Sequence, residues 1–333
     1  MTDTPRVAVV GTGYWGRNLL RNFHALESLA GFAETREDAR AEFAALYPDA
    51  PAHESLDALL GSANIDAVAI ATPAETHGTL VAQALDAGKH VFVEKPLCLD
   101  VAEARMLGAA ASERGLTLMV GHLLLYHPAF RALAGVVAQG RLGDLRYIYS
   151  HRLSLGKIRR HENALWSFAP HDISMILRLV GSLPERVVAN GGTYLSPEVA
   201  DTTLSHMNFA QGVQAHIFVS WLHPYKDHRL VVVGRDAMAE FNDVKTGPDK
   251  LLLYPHSVGW EGDVSTVNKA TAEPLAYGDA EPLAVECSHF LDCVVRGVSP
   301  DSDAAEGTRV LQVLDACHRS LAEGHAVDLR AKE

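Results

Sequence analysis

Two residues in this chain have the type and setting for proton transfer. Lys95 stands in Glu94-Lys95-Pro96, and His171 stands in Trp166-Ser167-Phe168-Ala169-Pro170-His171-Asp172. A partly desolvated lysine can take or give a proton at a reacting hydroxyl, and so can a neutral imidazole. Pro170 suits the first turn of a helix, which would put His171 near the helix N-terminus. There the dipole disfavours imidazolium and keeps the ring able to act as a base. Asp172 could orient that ring or simply complement the dipole. The chain has 17 histidines, so most must be bystanders, and His206 and His216 fall in strand-like runs. No His, Cys, Asp or Glu grouping has metal-ligand spacing, so no metal is expected.

A second chemistry lies at the start of the chain. Gly11-Thr12-Gly13-Tyr14-Trp15-Gly16 follows the apolar run Val7–Val10 and opens a helix-period stretch. Gly11 permits a tight turn, Gly13 lets backbone approach a pyrophosphate, and Gly16 lets the helix sit close to the sheet. Glu34 ends the next strand and is placed to accept the adenosine ribose hydroxyls of a dinucleotide. A carboxylate there repels a 2′-phosphate, so NAD is expected over NADP. Arg36, two positions on, could instead pair with that phosphate.

These residues need elements to hold them. Through residue 121, short apolar runs alternate with helix-period segments, the grammar of a parallel sheet covered on both faces. The strands are expected at Arg6–Val10, Leu29–Ala33, Ala67–Ala71, His90–Glu94 and Thr117–Val120. After Gly121 the pattern changes to long strands with hairpin signals at Ala210-Gln211-Gly212 and Gly234-Arg235-Asp236, plus helices. The fold class expected is α/β: a doubly wound parallel sheet over 1–121, then an α/β domain with a mostly antiparallel sheet over 122–333. A helix is expected to begin at His171 and run to Val180.

Composition limits the partners. The chain has 333 residues, 48% hydrophobic and 21% charged, with 41 acidic against 29 basic side chains and a net charge of −12. That sign argues against nucleic acid as the main partner. No apolar run reaches the roughly 18 residues of a membrane span, and the N-terminus has no secretory pattern. Four scattered cysteines (Cys98, Cys287, Cys293, Cys317) suit reduced thiols in the cytoplasm.

The motifs together resemble the glucose–fructose oxidoreductase/inositol dehydrogenase/MocA (Gfo/Idh/MocA) family. The resemblance is carried by Gly11–Gly16, Ala71-Thr72-Pro73 with Thr76-His77, and Ala87-Gly88-Lys89-His90-Val91 leading to Glu94-Lys95-Pro96. Gly121-His122 and the Gly140–Gly143 turn extend it over essentially the whole chain. It implies cofactor contacts from Gly11, Gly13, Tyr14, Trp15, Gly16, Glu34, Arg36, Thr72, Pro73, His77, Glu94 and Lys95. It also implies that Lys95 and His171 flank the reacting carbon, and that the C-terminal sheet joins subunits into a dimer or tetramer. Many members carry an aspartate four residues before the histidine, where this chain has Ser167.

The stretch Glu162–Asp172 resembles the branch acting at C3 of UDP-N-acetylglucosaminuronic acid. Lys157, Arg159 and Arg160 supply positive charge for a pyrophosphate or uronate, and Asn163 a neutral donor. With His122, Trp166, Lys95 and His171 they form the expected substrate set, with the uronate preferred over UDP-N-acetylglucosamine. Two other functions fit the same residues: an NAD(P) enzyme of a free sugar or inositol, and a dinucleotide-sensing regulator without turnover. The retained Lys95 and His171 argue against the regulator.

Overall fold

Four consecutive buried residues, Val7–Val10, form the strand on which the N-terminal half is built. The computed structural model describes residues 4–61, 64–156, 158–160 and 162–330. By contacts the chain divides into two units. The first runs to Tyr126 and takes in Ala280–Leu311; the second is His127–Asp279 with the chain from Gln312 onward.

The first unit holds six strands: β1 (Val7–Val10), β2 (Leu29–Ala33), β3 (Ala52–His53), β4 (Ala67–Ile70), β5 (His90–Glu94) and β6 (Leu118–Gly121). They pair in parallel in the order β3-β2-β1-β4-β5-β6. Between them lie α1 (Gly16–Ala25), α2 (Glu37–Leu46), α3 (Leu56–Leu60), α4 (His77–Asp86) and α5 (Val101–Glu113). β1, β4 and β6 are buried at every residue, as a sheet covered on both faces requires. The order reverses between β1 and β4, which opens a crevice beyond the carboxyl ends of those strands.

The second unit contains α6 (Pro128–Ala138), β7 (Leu145–Leu153), α7 (Ala164–Val180), β8 (Arg186–Gly192), β9 (Thr202–Asn208) and β10 (Gln214–Ser220). It continues with β11 (Asp227–Gly234), β12 (Met238–Asn242), β13 (Leu251–Tyr254), β14 (Ser257–Glu261), β15 (Val264–Asn268) and β16 (Glu273–Pro274). The chain then forms α8 (Pro282–Arg296) and α9 (Ala304–Glu323), and ends on β17 (Val327–Asp328). Nine strands make one sheet, β16-β13-β12-β11-β7-β10-β9-β8-β17, in which only β7 and β10 pair in parallel. On β7, Ile148, Ser150 and Arg152 are buried towards α7, while Tyr147, Tyr149 and His151 alternate onto the opposite, half-exposed face.

The sequence placed one cut after residue 121. In the structure α8 joins the first unit, where Phe290 packs edge-on against Phe92 at 5.8 Å and Phe23 at 6.5 Å. An amphipathic helix shows that it has an apolar face, not which core receives it. Among the described residues, no helix is long and apolar enough to cross a membrane, and no group of three or more His, Cys, Asp or Glu could hold a metal ion. All four cysteines are free and buried.

Candidate active site

The glycine loop has three distinct uses for its glycines. Gly11 sits at φ +87°, a left-handed conformation that other residues rarely adopt, and its N–H donates to Ala33 O at 2.8 Å. A Cβ on Gly16 would lie 1.9 Å from Gly11 O, so the loop closes only over glycine. A Cβ on Gly13 would meet nothing within 4 Å, which leaves open space beside the backbone. That space belongs to a pocket of about 870 Å³ beyond the ends of β1, β2 and β4.

Of the expected cofactor residues, Gly11, Gly13, Tyr14, Glu34, Arg36, Thr72 and Pro73 line this pocket. Trp15, Gly16, His77, Glu94 and Lys95 do not. The sequence reading missed Arg17, Glu54, Ser55, Thr76 and Leu80, which also line it. Ser55 offered one signal: its side chain caps α3, accepting from Ala58 N at 3.2 Å. The two-residue β3 before it is too short for any periodicity to show.

Glu34 follows β2 and is 8% exposed. Thr12 donates to its Oε2 through both N–H (3.1 Å) and Oγ1 (2.7 Å), and the Arg36 N–H donates to Oε1 at 3.0 Å. Burial alone would push this carboxyl up, but those bonds outweigh it and hold the pKa below the ordinary value. An ionised acid in a pocket beside an open glycine backbone fits the ribose and pyrophosphate of a dinucleotide.

At the end of β5, Glu94 accepts the indole N–H of Trp15. Burial raises its pKa to about 8 against the opposing charge of Lys95 and that indole bond. Trp15 thus serves Glu94 within the first unit instead of lining the pocket. Lys95 is half-buried. His77 is 1% exposed, with Nδ1 at 2.7 Å from Pro96 O and Nε2 at 2.9 Å from Thr72 O. Each ring nitrogen faces a backbone carbonyl, so His77 ties the Lys95-Pro96 turn to the Thr72 loop and does not line the pocket. His122 is 1% exposed, and its Nδ1 pairs with Glu306 at 2.6 Å inside the first unit.

The raised Glu94 carboxyl predicts a pH dependence of stability. Below the ordinary value of 4.5 both folded and unfolded chains hold the proton. Between 4.5 and about 8 only the folded chain does, so folding loses stability as pH rises through that window. Glu94→Gln removes the group that titrates. Thermal melts across the window should show the wild type declining relative to Glu94→Gln, and parallel curves would refute the assignment.

The second unit revises the His171 expectation. Helix α7 begins at Ala164, capped by Asn163, whose side chain accepts from Trp166 N at 3.0 Å. Pro170 lies inside the helix and His171 in its middle, half-buried, so no N-terminal dipole acts on it. The asparagine cap, eight positions upstream, was the true start signal. With its oxygen on the backbone, Asn163 is a cap first. The neighbouring Asp172 is 0% exposed and receives Arg152 Nε at 2.7 Å, Arg152 Nη2 at 3.3 Å and the Ser150 hydroxyl. The Trp166 ring meets His318 edge-on at 6.1 Å. Arg159 pairs with Glu162 at 2.7 Å, Arg160 is exposed, and Lys157 lies outside the described residues.

A family described as "Oxidoreductase family, NAD-binding Rossmann fold" matches residues 5–122, and the GFO/IDH/MocA C-terminal domain matches residues 130–240. The chain belongs to the GFO/IDH/MocA family. It is therefore an oxidoreductase acting on CH–OH groups, with an NAD-binding Rossmann domain at its N-terminus. It is 31% identical over 307 residues to the UDP-N-acetylglucosamine 3-dehydrogenase of Acidithiobacillus ferrooxidans, covering 92% of this chain and 94% of that one. The solved structure of that enzyme superposes with a TM-score of 0.82 at 28% identity, over 96% of this chain and 98% of the other. The inositol 2-dehydrogenase of Rhizobium meliloti is 27% identical over 83% of this chain and 84% of its own. The GFO/IDH/MocA match over residues 5–122 spans the glycine loop, the acid after β2 and Glu94-Lys95-Pro96.

Proposed function

We propose that the protein is an NAD-dependent dehydrogenase that oxidises C3 of a UDP-linked N-acetylhexosamine. The observation that carries this reading is the 31% identity to the UDP-N-acetylglucosamine 3-dehydrogenase, sustained over nearly the full length of both chains. NAD, when bound, supplies the hydride acceptor. The glycine loop holds its pyrophosphate and Glu34 its adenosine ribose. Lys95 and His171 are the acid–base pair, one of them taking the hydroxyl proton as C3 is oxidised.

The sequence alone favoured a uronate. The 31% identity to a UDP-N-acetylglucosamine 3-dehydrogenase supports UDP-N-acetylglucosamine instead. Self-association through the half-exposed face of the nine-stranded sheet is part of the same proposal.

An assay of NADH formation with UDP-N-acetylglucosamine, its uronate and free inositol tests the reading. We expect turnover of UDP-N-acetylglucosamine above the uronate and none of inositol. Turnover of inositol or glucose with no response to either UDP-sugar overturns it.

A further inference from the structure

Glu34 is more constrained than a ribose-binding acid needs to be. A carboxylate offers about four acceptor sites. Three are filled by short bonds, two from Thr12 to Oε2 and one from the Arg36 N–H to Oε1. The fourth is a long contact of 3.4 Å from Arg36 Nε, whose side chain is 62% exposed. Only that last contact is readily exchanged.

We propose that Thr12 is a positioning residue that sets the cofactor preference by locking the Glu34 carboxylate in one orientation on the wall of the pocket. The inference rests on the NAD reading above and deepens it. Thr12 is 1% exposed and occupies the second position of the glycine loop, between Gly11, which is bonded to Ala33 O, and Gly13, which opens to the pocket. The loop that receives the pyrophosphate and the acid that receives the ribose are thereby one assembly. A ribose hydroxyl replaces the weak Arg36 Nε contact at Oε1 and leaves the other three bonds intact. A 2′-phosphate meets a carboxylate that cannot turn aside, because Thr12 holds its far oxygen through both a backbone and a hydroxyl donor. These same bonds keep the buried carboxyl ionised against the effect of burial.

Thr12→Val keeps the shape and the backbone N–H but removes the hydroxyl; Thr12→Ser keeps the hydroxyl. Dissociation constants for NADH and NADPH, read from nicotinamide fluorescence on the full-length protein, test the proposal without any substrate. Loss of a bond to a charged group predicts that Thr12→Val weakens NADH binding about tenfold and NADPH binding less. The NADH-over-NADPH preference then falls by a similar factor, whereas Thr12→Ser retains it. A wild-type preference in Thr12→Val, or an equal loss in Thr12→Ser, overturns the proposal. A wild-type protein that prefers NADPH overturns the NAD reading instead. In that case the change in NADH affinity between wild type and Thr12→Val still decides the role of Thr12.

Discussion

Lys95→Met and His171→Asn should each cut kcat by roughly 10²–10⁴-fold, the usual contribution of a positioned acid or base, while NADH binding persists. The two residues sit in different units of the chain, each on a segment held by buried partners. The Lys95-Pro96 turn is tied to the Thr72 loop through His77, and α7 is fastened to β7 through Asp172. Loss of turnover without loss of cofactor affinity would mark a step in the chemistry. A variant that turns over near the wild-type rate would remove that residue from the acid–base pair. Ser167→Ala should have a smaller effect than either, since a serine cannot act as the carboxylate partner that many family members carry.

The second large effect is expected at Arg152. Its guanidinium is 6% exposed and grips Asp172, which is fully buried, through Nε and Nη2. Asp172 also takes the Ser150 hydroxyl. Arg152 Nη1 lies 3.2 Å from His228 Nδ1, and burial followed by the Arg152 charge pushes that histidine down to about 3, so it remains a neutral acceptor. Arg152→Met would strand a carboxylate inside the second unit. Breaking a buried pair from one side costs about 3–5 kcal/mol, a large part of the stability of a typical domain. Arg152→Met with Asp172→Leu removes both charges and should recover most of the loss. Denaturant midpoints of the single and double variants check this. Equal destabilisation of the two, or a single variant as stable as wild type, would show that the pair is not what holds α7 on β7.

Much of the cofactor half was legible because its signals are local. A buried parallel strand must be apolar throughout, a tight phosphate-binding turn needs glycine, and the ribose acid must follow the second strand. β2 and β5 have the bounds their apolar runs marked, Leu29–Ala33 and His90–Glu94. The antiparallel character of the second sheet was also readable, from hairpin signals and period-two alternation. Its one parallel pair, β7 with β10, was not, because register across 60 residues leaves no trace in either strand.

The start of α7 was misread because proline at a first turn is a stronger local rule than an asparagine cap seven residues before it. The structure keeps Pro170 inside the helix, where tertiary packing of a largely buried α7 overrides the lost backbone bond. His77 and His122 were read as ligand contacts from motif position alone. Which carbonyl or carboxylate a buried ring meets depends on segments 19 and 184 residues away.

The sequence by itself determined which residues could do chemistry and the class of sheet that carries them, since composition, spacing and periodicity act within a few residues. Only the tertiary structure decided what each side chain is bonded to. It placed Trp15 on Glu94, Thr12 on Glu34 and Arg152 on Asp172, and it returned α8 to the first core. Those pairings depend on distance in space, and burial makes each of them matter by taking away the water that would otherwise satisfy the same groups.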